Sequence, residues 1–353
     1  MERITSFAPL FGARRTLELP PIEIVDITAA DGAALRLHHV PGGNRGPVLL
    51  APGTSMTGLS FCIDTVRCNL AEYLHREGFD VWLFDWRTSP YLAAHERPYT
   101  LDDVATYDWP AAVGAVRART GASVGVLAHC LSAPALVLSL IRGHVEKGHL
   151  SSAILSQVAF DFELPIIGRL KAELHLDKWF PEEQIIHFKP GEITHSRADL
   201  AITGLAAVVP KSYDCDNVSC RRHSAVFGDL LHHDRINAET HALAGDLIPD
   251  VAAAFLLDIA EKTRASCILT KEDQYHFDRL ALPMCLLSGE KNRTFCPEST
   301  DQSYDRLVQE NGAAYYRRHV IPDYGHLDCL IGEQAAEHVY PLIARAFDPR
   351  LET

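Results

Sequence analysis

The hydrophobic residues of the first half of the chain form short continuous runs separated by stretches with helical spacing. Val66, Leu70 and Leu74 recur at helical spacing, and Ala111–Arg119 also suits a helix. Continuous apolar runs between helices predict parallel strands that are covered on both faces. The runs are Ile22–Ala29, Ala34–Val40, Pro47–Gly53, Asp80–Trp86, Ser123–His129 and Ser152–Phe160, of which the first two predict a hairpin.

The pattern changes after the sixth run and later returns. From about residue 161 to 279 the chain is richer in His, Asp and Pro and has short helical stretches, such as Asp250–Lys262. The strand and helix pattern resumes at Leu282–Gly289, Ser299–Gln309, Tyr315–Ile321 and Glu333–Phe347. The sequence therefore predicts an α/β core from residues 1–160 and 281–353, interrupted by a mainly helical lid from residues 161–280.

Composition and charge narrow the classes of function. The chain has 353 residues, 47% of them hydrophobic, and a formal net charge of −13, which argues against a nucleic-acid or anionic-membrane partner. No apolar run is long enough to span a membrane, and the N-terminus lacks the layout of a secretory signal. Nine scattered cysteines, an odd number, are typical of reduced thiols. We expect a cytoplasmic protein without membrane insertion.

The segment Val124–Leu136, VGVLAHCLSAPAL, predicts a nucleophile at Cys130. An apolar strand ends there and turns at once into a small-residue helix, which is the local structure of a nucleophile elbow. The usual form is Gly-x-Ser-x-Gly, and here Ala128 and Ser132 replace the two glycines while a thiol replaces the hydroxyl. The alternative interpretation is that Cys130 is a small core residue.

Partners for this thiol are expected late in the chain. His326 lies after the last predicted strand, where this kind of fold places its catalytic histidine. Asn292 occupies the position where the acidic third member of a catalytic triad is expected. An amide can serve there with a thiol, because a Cys–His pair can rest as thiolate and imidazolium and the third residue then need only orient the ring. Asp161 and Glu163 are alternative third members, and Asp328 is better interpreted as an anchor of the histidine loop.

The rest of the predicted site follows from topology. The oxyanion hole should combine the backbone N–H of Leu131 with that of Thr54 or Ser55. Arg87 follows a strand at the expected edge and either meets an anionic substrate group or, more simply, forms a salt bridge. Trp86 and Phe160 are expected in the core or the wall of the substrate pocket.

A cluster of possible metal ligands lies in the predicted lid. Cys215, Cys220 and His223 have the spacing C-x4-C-x2-H, a poor match to common structural zinc sites, and His232, His233 and Asp234 follow nearby. Packing within the lid is the simpler interpretation. We therefore expect no metal. No Gly-x-Gly-x-x-Gly fingerprint of a dinucleotide-binding site follows the first strand, so we expect no cofactor either.

The chain resembles the α/β-hydrolase domain that is attached to, or encoded beside, cholesterol-oxidase-like flavoenzymes of the glucose–methanol–choline group, and more distantly the acid lipases. The resemblance implies an α/β-hydrolase fold with Cys130 as nucleophile, His326 as base and Asn292 as third member, where acid lipases carry Ser and Asp. It covers roughly residues 22–345, in the segments LLAPGTSMTGLSF, DVWLFDWRTS, TLDDVATYDWPAAV, VLAHCLSA, ILSQVAF, CRRHSAVFGDLLHHDRINAETHAL, GEKNRTFCPEST and HVIPDYGHLDCLIGEQAAEHVYP.

A thiol nucleophile favours acyl transfer. We expect a small-molecule acyl substrate, a thioester or activated ester with a bulky apolar acyl group, that reacts through an acyl-Cys130 intermediate and passes the acyl group to water or another acceptor. An esterase or lactonase acting on a bulky apolar ester is the second hypothesis, and a non-catalytic ligand-binding protein is the third. The oligomeric state stays open, with a homodimer among the options.

Overall fold

The computed structural model describes residues 3–4, 14–173, 185–194, 196–208 and 215–351. Parts of the predicted core and lid, at residues 1–2, 5–13, 174–184, 195, 209–214 and 352–353, lie outside these described residues. No helix within the described ranges is both long and apolar enough to cross a membrane.

A nine-stranded sheet forms the centre of the molecule, in the order β1-β2-β3-β5-β4-β6-β7-β10-β11. The six strands from β5 to β11 in this order run parallel, while β1, β2 and β3 pair antiparallel at one end. The predicted hairpin and parallel strands are therefore confirmed. The strands are β1 Arg3–Ile4, β2 Ile22–Thr28, β3 Ala34–Val40, β4 Pro47–Ala51, β5 Asp80–Asp85, β6 Val124–His129, β7 Leu150–Ser156, β10 Met284–Gly289 and β11 Tyr316–Ile321.

Helices cover both faces of this sheet. Alternate residues of β4 enter two separate apolar clusters. Leu49 lies in one cluster with residues of the helices Trp109–Thr120 and Ser132–Ile141, and Leu50 lies in the other with residues of the helices Leu70–Arg76 and Tyr340–Phe347. Burial on both faces explains why the central strands are continuous apolar runs. The core helices are α1 Leu70–Arg76, α2 Leu101–Asp103, α3 Trp109–Thr120, α4 Ser132–Ile141, α11 Glu298–Asn311, α12 Asp328–Ile331, α13 Ala335–His338 and α14 Tyr340–Phe347, with a π-helix at Val104–Asp108.

Two predicted helices differ from the observed elements. The helix predicted at Glu333–Phe347 is two helices, because Pro341 lies in the first turn of α14 and has no N–H to continue α13. The helix predicted at Asp250–Lys262 begins with a short strand, β9 Asp250–Ala252, and continues as α10 Ala253–Arg264.

The segment between β7 and β10 contains an inserted layer, here called the insertion. Its two ends meet in a bridge, in which Phe162 N–H donates to the Ser266 carbonyl at 2.8 Å and Ile268 N–H donates to the Phe160 carbonyl at 3.0 Å. Within it lie α5 Ile166–Glu173, β8 Ile185–His187, α6 Arg197–Val208, α7 Val218–Val226, α8 Ala238–Ala242, α9 Ala244–Leu247, β9 and α10, with β8 and β9 paired antiparallel.

The chain returns to the core before residue 280. Arg142, directly after α4, forms an ion pair with Asp273 at 3.0 Å, and Arg279 donates to the Ile141 carbonyl at 2.7 Å. Residues 268–280 therefore pack on the core, while the division into core and lid at residues 160/161 and 280/281 stays a prediction.

Candidate active site

Cys130 lies in the tight turn between β6 and α4 with a left-handed backbone, φ 57°. A non-glycine residue in this region is strained, and such strain is kept where the surrounding structure holds it for a purpose. The Cys130 N–H donates to the Ser156 carbonyl at 2.9 Å, so the turn stays tied to β7. The strand and helix thus present the thiol at the carboxyl edge of the parallel strands.

Close packing around the turn explains its small residues. A Cβ on Gly53 would lie 3.2 Å from the Cys130 Cβ and 3.4 Å from His129 Cδ2, so a larger residue would push against the turn. Ser132 stands where a glycine is usual, and its hydroxyl donates to the His129 carbonyl at 2.8 Å. Serine is accommodated here because its side chain bonds to the turn it follows.

Two backbone N–H groups are directed at the Cys130 sulfur, those of Leu131 and Thr54, and both lower the pKa of the thiol. These are the donors that the sequence predicts for an oxyanion hole. The other candidate, Ser55, has its N–H within 3.4 Å of the Thr88 hydroxyl and is engaged elsewhere. Of the two alternatives, the arrangement favours Thr54.

His326 and Asn292 are hydrogen-bonded to each other. The Asn292 Oδ1 accepts from the backbone N–H groups of Thr294 at 3.0 Å and Phe295 at 3.2 Å, so it acts as an acceptor. His326 Nδ1 lies 3.3 Å from the same oxygen. The Nδ1 atom therefore carries the proton, which leaves a lone pair on Nε2. That Nε2 is buried and has no partner among the described residues.

A buried glutamine orients the Asn292 amide. The Gln157 Oε1 accepts from Asn292 Nδ2 and from the Gly289 N–H, each at 3.0 Å. An acceptor at this position requires a donor from residue 292, so it suits Asn rather than Asp. Gln157 was not predicted from the sequence as a site residue. The feature that could have indicated it is its position directly after β7, at the strand end where site residues gather.

The two carboxylates considered after β7 are engaged elsewhere. Asp161 accepts from Arg306 Nη1 at 2.6 Å and from the Ser303 hydroxyl at 3.0 Å. Glu163 forms an ion pair with Arg169. Among the described contacts, His326 bonds to Asn292 and to neither carboxylate.

Asp328 holds the loop that carries His326. Its carboxylate accepts from the Gly325 N–H at 2.6 Å and from the His232 N–H at 2.9 Å. Burial raises the pKa of Asp328 to about 6 despite these donors. The contacts match the anchoring role expected from the sequence and link the histidine loop to the insertion.

Burial favours the neutral forms of Cys130 and His326. It raises the pKa of the thiol to about 12, although the two N–H groups act against it, and it holds the pKa of His326 well below the usual value. These shifts disfavour the resting thiolate–imidazolium pair that the sequence suggested. His129 adds to the effect, because its ring packs 4.9 Å from that of His326 rather than away from the site.

Cys130, Leu131, Thr54 and His326 line one cavity of about 790 Å³. The insertion supplies much of its wall, from α5, α6, α7, α10 and the segment 227–230. The aromatic side chains in the described wall are Phe227 and Phe295, and most of the other side chains are aliphatic. The aliphatic wall residues include Leu164, Ile166, Ile167, Ile202, Leu205, Val226, Leu230, Ile248, Leu256 and Ile259.

Comparisons with known proteins point to one fold. No protein-family model matches the chain. An esterase from Exiguobacterium antarcticum superposes with a TM-score of 0.59 at 14% identity, covering 91% of this chain and 98% of that one. A thermophilic esterase from Thermogutta terrifontis gives a TM-score of 0.53 at 15% identity, covering 88% and 93%. The chain therefore has the α/β-hydrolase fold.

The curated proteins to which the chain is similar in sequence are lipases. Triacylglycerol lipase 2 of Arabidopsis thaliana is 29% identical over 175 residues, 43% of this chain and 41% of that protein. Lipase lipl-3 of Caenorhabditis elegans is 22% identical over 361 residues, 91% of this chain and 87% of that protein. The alignments with the Arabidopsis lipase and with human lipase member K span less than half of those proteins, 41% and 30%.

Three residues predicted as possible contacts of the substrate, Arg87, Trp86 and Phe160, are buried within the fold. Arg87 is buried and makes ion pairs with Asp108 at 2.6 Å and Asp31 at 2.9 Å, so its charge is already compensated. Trp86 is fully buried and donates to the Pro52 carbonyl at 3.2 Å. Phe160 is equally buried in the core cluster. None of the three belongs to the described cavity wall. The positions observed are therefore the salt bridge predicted as one alternative for Arg87 and the core position predicted as one alternative for Trp86 and Phe160.

The expectation for metal ligands also changes. His223 is not gathered with the cysteines, because its Nε2 lies 2.8 Å from the Ile248 carbonyl. Instead, Cys215 and Cys220 meet two other histidines of the insertion, His233 and His241.

Proposed function

We propose that this α/β hydrolase transfers acyl groups through a covalent acyl-Cys130 intermediate. The observation that carries the proposal is the placement of the thiol: it lies in a strained turn, receives the N–H groups of Leu131 and Thr54, and shares a cavity with the His326–Asn292 pair. A residue kept only for packing would not require this set of donors and bases around it.

The first half of the reaction acylates the sulfur. The Cys130 Sγ attacks the acyl carbonyl carbon while its proton passes to His326 Nε2, and the carbonyl oxygen becomes an oxyanion that accepts from Leu131 and Thr54 N–H. The tetrahedral intermediate collapses and the bond to the leaving group breaks. His326 gives its proton to the departing thiolate or alkoxide.

The second half returns the enzyme to its starting form. Water or another acceptor attacks the acyl carbon and gives its proton to His326, and the carbon–sulfur bond breaks as the second intermediate collapses. The Cys130 thiolate then recovers the proton from His326. Asn292 holds the Nδ1 proton in place throughout, which keeps the Nε2 lone pair available to the nucleophile.

The cavity favours a bulky apolar acyl group. A space of about 790 Å³ with a largely aliphatic wall falls in the range of pockets that enclose a whole small molecule. The thiol favours a thioester, because exchange between two sulfurs is nearly thermoneutral, whereas an alkoxide leaves less readily than the cysteine thiolate in the shared intermediate.

The insertion acts as a lid in this proposal. Helix α5 lines the cavity through Ile166 and Ile167, and Ile166 is 84% exposed, as expected for a wall that faces solvent on its other side. All nine cysteines are free thiols, which suits a reducing, cytoplasmic setting. An association with a glucose–methanol–choline flavoenzyme remains part of the proposal and rests on the sequence resemblance.

Trapping the intermediate tests the proposal. The protein is incubated with a panel of medium- and long-chain acyl thioesters and the matching aryl esters, and intact mass and peptide mapping follow any adduct. We expect an acyl adduct on Cys130, at least tenfold faster turnover of thioesters than of oxygen esters, and no adduct or turnover in Cys130→Ala.

The matched control is Cys296→Ala, which removes the other thiol of the cavity wall. It should keep the adduct and most of the activity. Faster turnover of oxygen esters, with the adduct still on Cys130, would instead support the esterase or lactonase hypothesis, which the lipase relatives favour. Activity that survives Cys130→Ala, or tight ligand binding without an adduct or turnover, would overturn acyl-Cys catalysis.

A further inference from the structure

We propose that the insertion holds a structural Zn²⁺ ion bound by Cys215, Cys220, His233 and His241. The four ligand atoms, two Sγ and two imidazole nitrogens, all lie within 4.8 Å of one another. The residues come from the chain just before α7, from α7 itself, from a 3-10 helix at His233–Arg235 and from α8. Four separate pieces of chain therefore converge on one point.

The distances within the cluster match zinc coordination. Cys215 Sγ lies 3.4 Å from His241 Nε2, and Cys220 Sγ lies 3.4 Å from His233 Nε2. Bond lengths of about 2.3 Å for Zn–S and about 2.0 Å for Zn–N at tetrahedral angles place sulfur and nitrogen about 3.5 Å apart. The two observed sulfur–nitrogen separations therefore agree with those of a tetrahedral zinc site.

The chemistry of the donor set favours zinc over two thiol–imidazole hydrogen bonds. Isolated bonds would satisfy each pair separately and would not require the pairs to meet, yet the His233 and His241 rings are 4.6 Å apart. The spacing in sequence is C-x4-C-x12-H-x7-H, close to that of Cys₂His₂ sites except for the longer last interval. Binding releases one proton from each thiol, and the two thiolates neutralise the ion.

The geometry assigns this ion a structural role rather than a catalytic one. Four protein ligands close a tetrahedral site and leave no position for substrate. None of the four residues belongs to the described wall of the catalytic cavity. The proposal therefore stands independently of the acyl-transfer function.

The ion would stiffen a segment that supports the catalytic cavity. Residues 224–230, between Cys220 and His233, line the cavity wall. The Leu230 carbonyl accepts from the Leu327 N–H at 2.8 Å, and the His232 N–H donates to Asp328 at 2.9 Å. A clamp on both sides of this segment would hold the wall and the His326 loop together.

Metal analysis of the full chain tests the proposal. Protein produced without a polyhistidine tag, in zinc-containing medium and without chelators, is analysed by inductively coupled plasma mass spectrometry. We expect about one zinc per chain, falling to below about a tenth in Cys215→Ser/Cys220→Ser, with a lower thermal midpoint. The matched control Cys68→Ser removes a half-buried thiol outside the cluster and should keep the metal.

Measurements on the unaltered chain decide the question if the double variant does not fold. Replacing zinc with Co²⁺ should give the visible d–d bands of a tetrahedral ion and a sulfur-to-cobalt charge-transfer band, and X-ray absorption of the zinc form should show two sulfur ligands at about 2.3 Å. Absence of zinc together with failure to take up added Zn²⁺ or Co²⁺ would overturn the proposal. A Cys215–Cys220 disulfide, or zinc retained by a folded double variant, would do the same.

Discussion

His326 is buried and Cys130 is partly buried, and this burial shifts their pKa values in opposite directions. A thiol with a pKa of about 12, in the same cavity as an imidazole with a lowered pKa, rests uncharged at neutral pH. The proposed nucleophile is therefore activated only when its proton moves during attack, as in serine enzymes, and not by a standing ion pair.

Alkylation by iodoacetamide should report this protonation state. Because only the thiolate reacts, we expect the rate at Cys130 to rise about tenfold per pH unit from about pH 7 to about pH 10. Peptide mapping separates this reaction from labelling of Cys296, and Cys130→Ala supplies the blank. A rate that is already high and flat near pH 6 would show a thiolate–imidazolium pair and contradict the prediction.

Asn292→Asp tests why this site carries an amide. The new carboxylate oxygen would face Gln157 Oε1, which is an acceptor already bonded to the Gly289 N–H. We expect a loss of about 1–3 kcal/mol in the free energy of unfolding, measured by urea denaturation. The added negative charge should also raise the pKa of His326.

The pH profile provides the second measurement for this variant. The base must be neutral to accept the proton, so a raised pKa of His326 moves the acid limb of kcat/KM to higher pH. Asn292→Ala is the control: it removes the acceptor without adding charge and should lower activity without that movement. An Asn292→Asp protein with unchanged stability and an unchanged profile would refute the argument.

The strands and the turns that follow them place the chemical groups at one edge of the sheet. Cys130 follows β6, Gln157 follows β7, Asn292 follows β10 and His326 follows β11. Parallel strands bring their carboxyl ends to the same edge, so the order of elements alone predicted three of these four residues. The alternation of apolar runs with helices was sufficient for that inference.

Long-range pairing was harder to predict from the sequence. Arg87 follows β5 at the predicted edge of the sheet, yet its guanidinium forms ion pairs with Asp108 and Asp31. These lie 21 residues after it and 56 residues before it in the sequence. Likewise, His241 is separated from Cys215 by 25 residues, and the spacing of ligands gave no reason to prefer it to His223. Local patterns define elements, but the choice of side-chain partner depends on packing between distant elements.

Arg87→Met separates a structural role from substrate binding at the level of elements. Arg87 ties the end of β5 to the π-helix through Asp108, and its loss leaves a buried carboxylate without its main partner. We expect the free energy of unfolding to fall by about 3–5 kcal/mol, measured by urea denaturation, with KM unchanged for the folded enzyme.

The stability of the Arg87→Met variant should also depend on pH. The pKa of Asp108 is already raised to about 6 by burial, and removal of Arg87 raises it further. Because the folded variant then holds the proton more tightly than the unfolded chain, its stability should fall as pH rises from about 4 to about 8. The control Arg36→Met breaks an exposed pair with Asp26 and should cost less than about 1 kcal/mol. A raised KM without a loss of stability in Arg87→Met would point to substrate binding.

At the scale of the whole molecule, the core supplies the reacting groups and the insertion supplies much of the surrounding wall. The two parts meet at the cavity and at the contacts between the segment 230–232 and the histidine loop. Substrate preference should therefore change through the insertion while the reaction itself is kept.

Leu256→Trp tests this division. Leu256 belongs to α10 and lines the cavity, so the larger side chain reduces the space for the acyl group. We expect kcat/KM for long acyl chains to fall by at least about tenfold, with short chains nearly unaffected, measured over a series of chain lengths. Leu170→Trp on α5, where Leu170 is half-exposed, is the matched control. An equal decrease for all chain lengths would mean that the substitution damages the fold or the site instead.

The bridge between Phe160–Phe162 and Ser266–Ile268 has an evolutionary consequence. Since the chain leaves and re-enters the scaffold at adjacent points, the intervening hundred or so residues can lengthen, shorten or be exchanged without moving β7 or β10 out of register. The same sheet and site can thus carry insertions of different length and sequence.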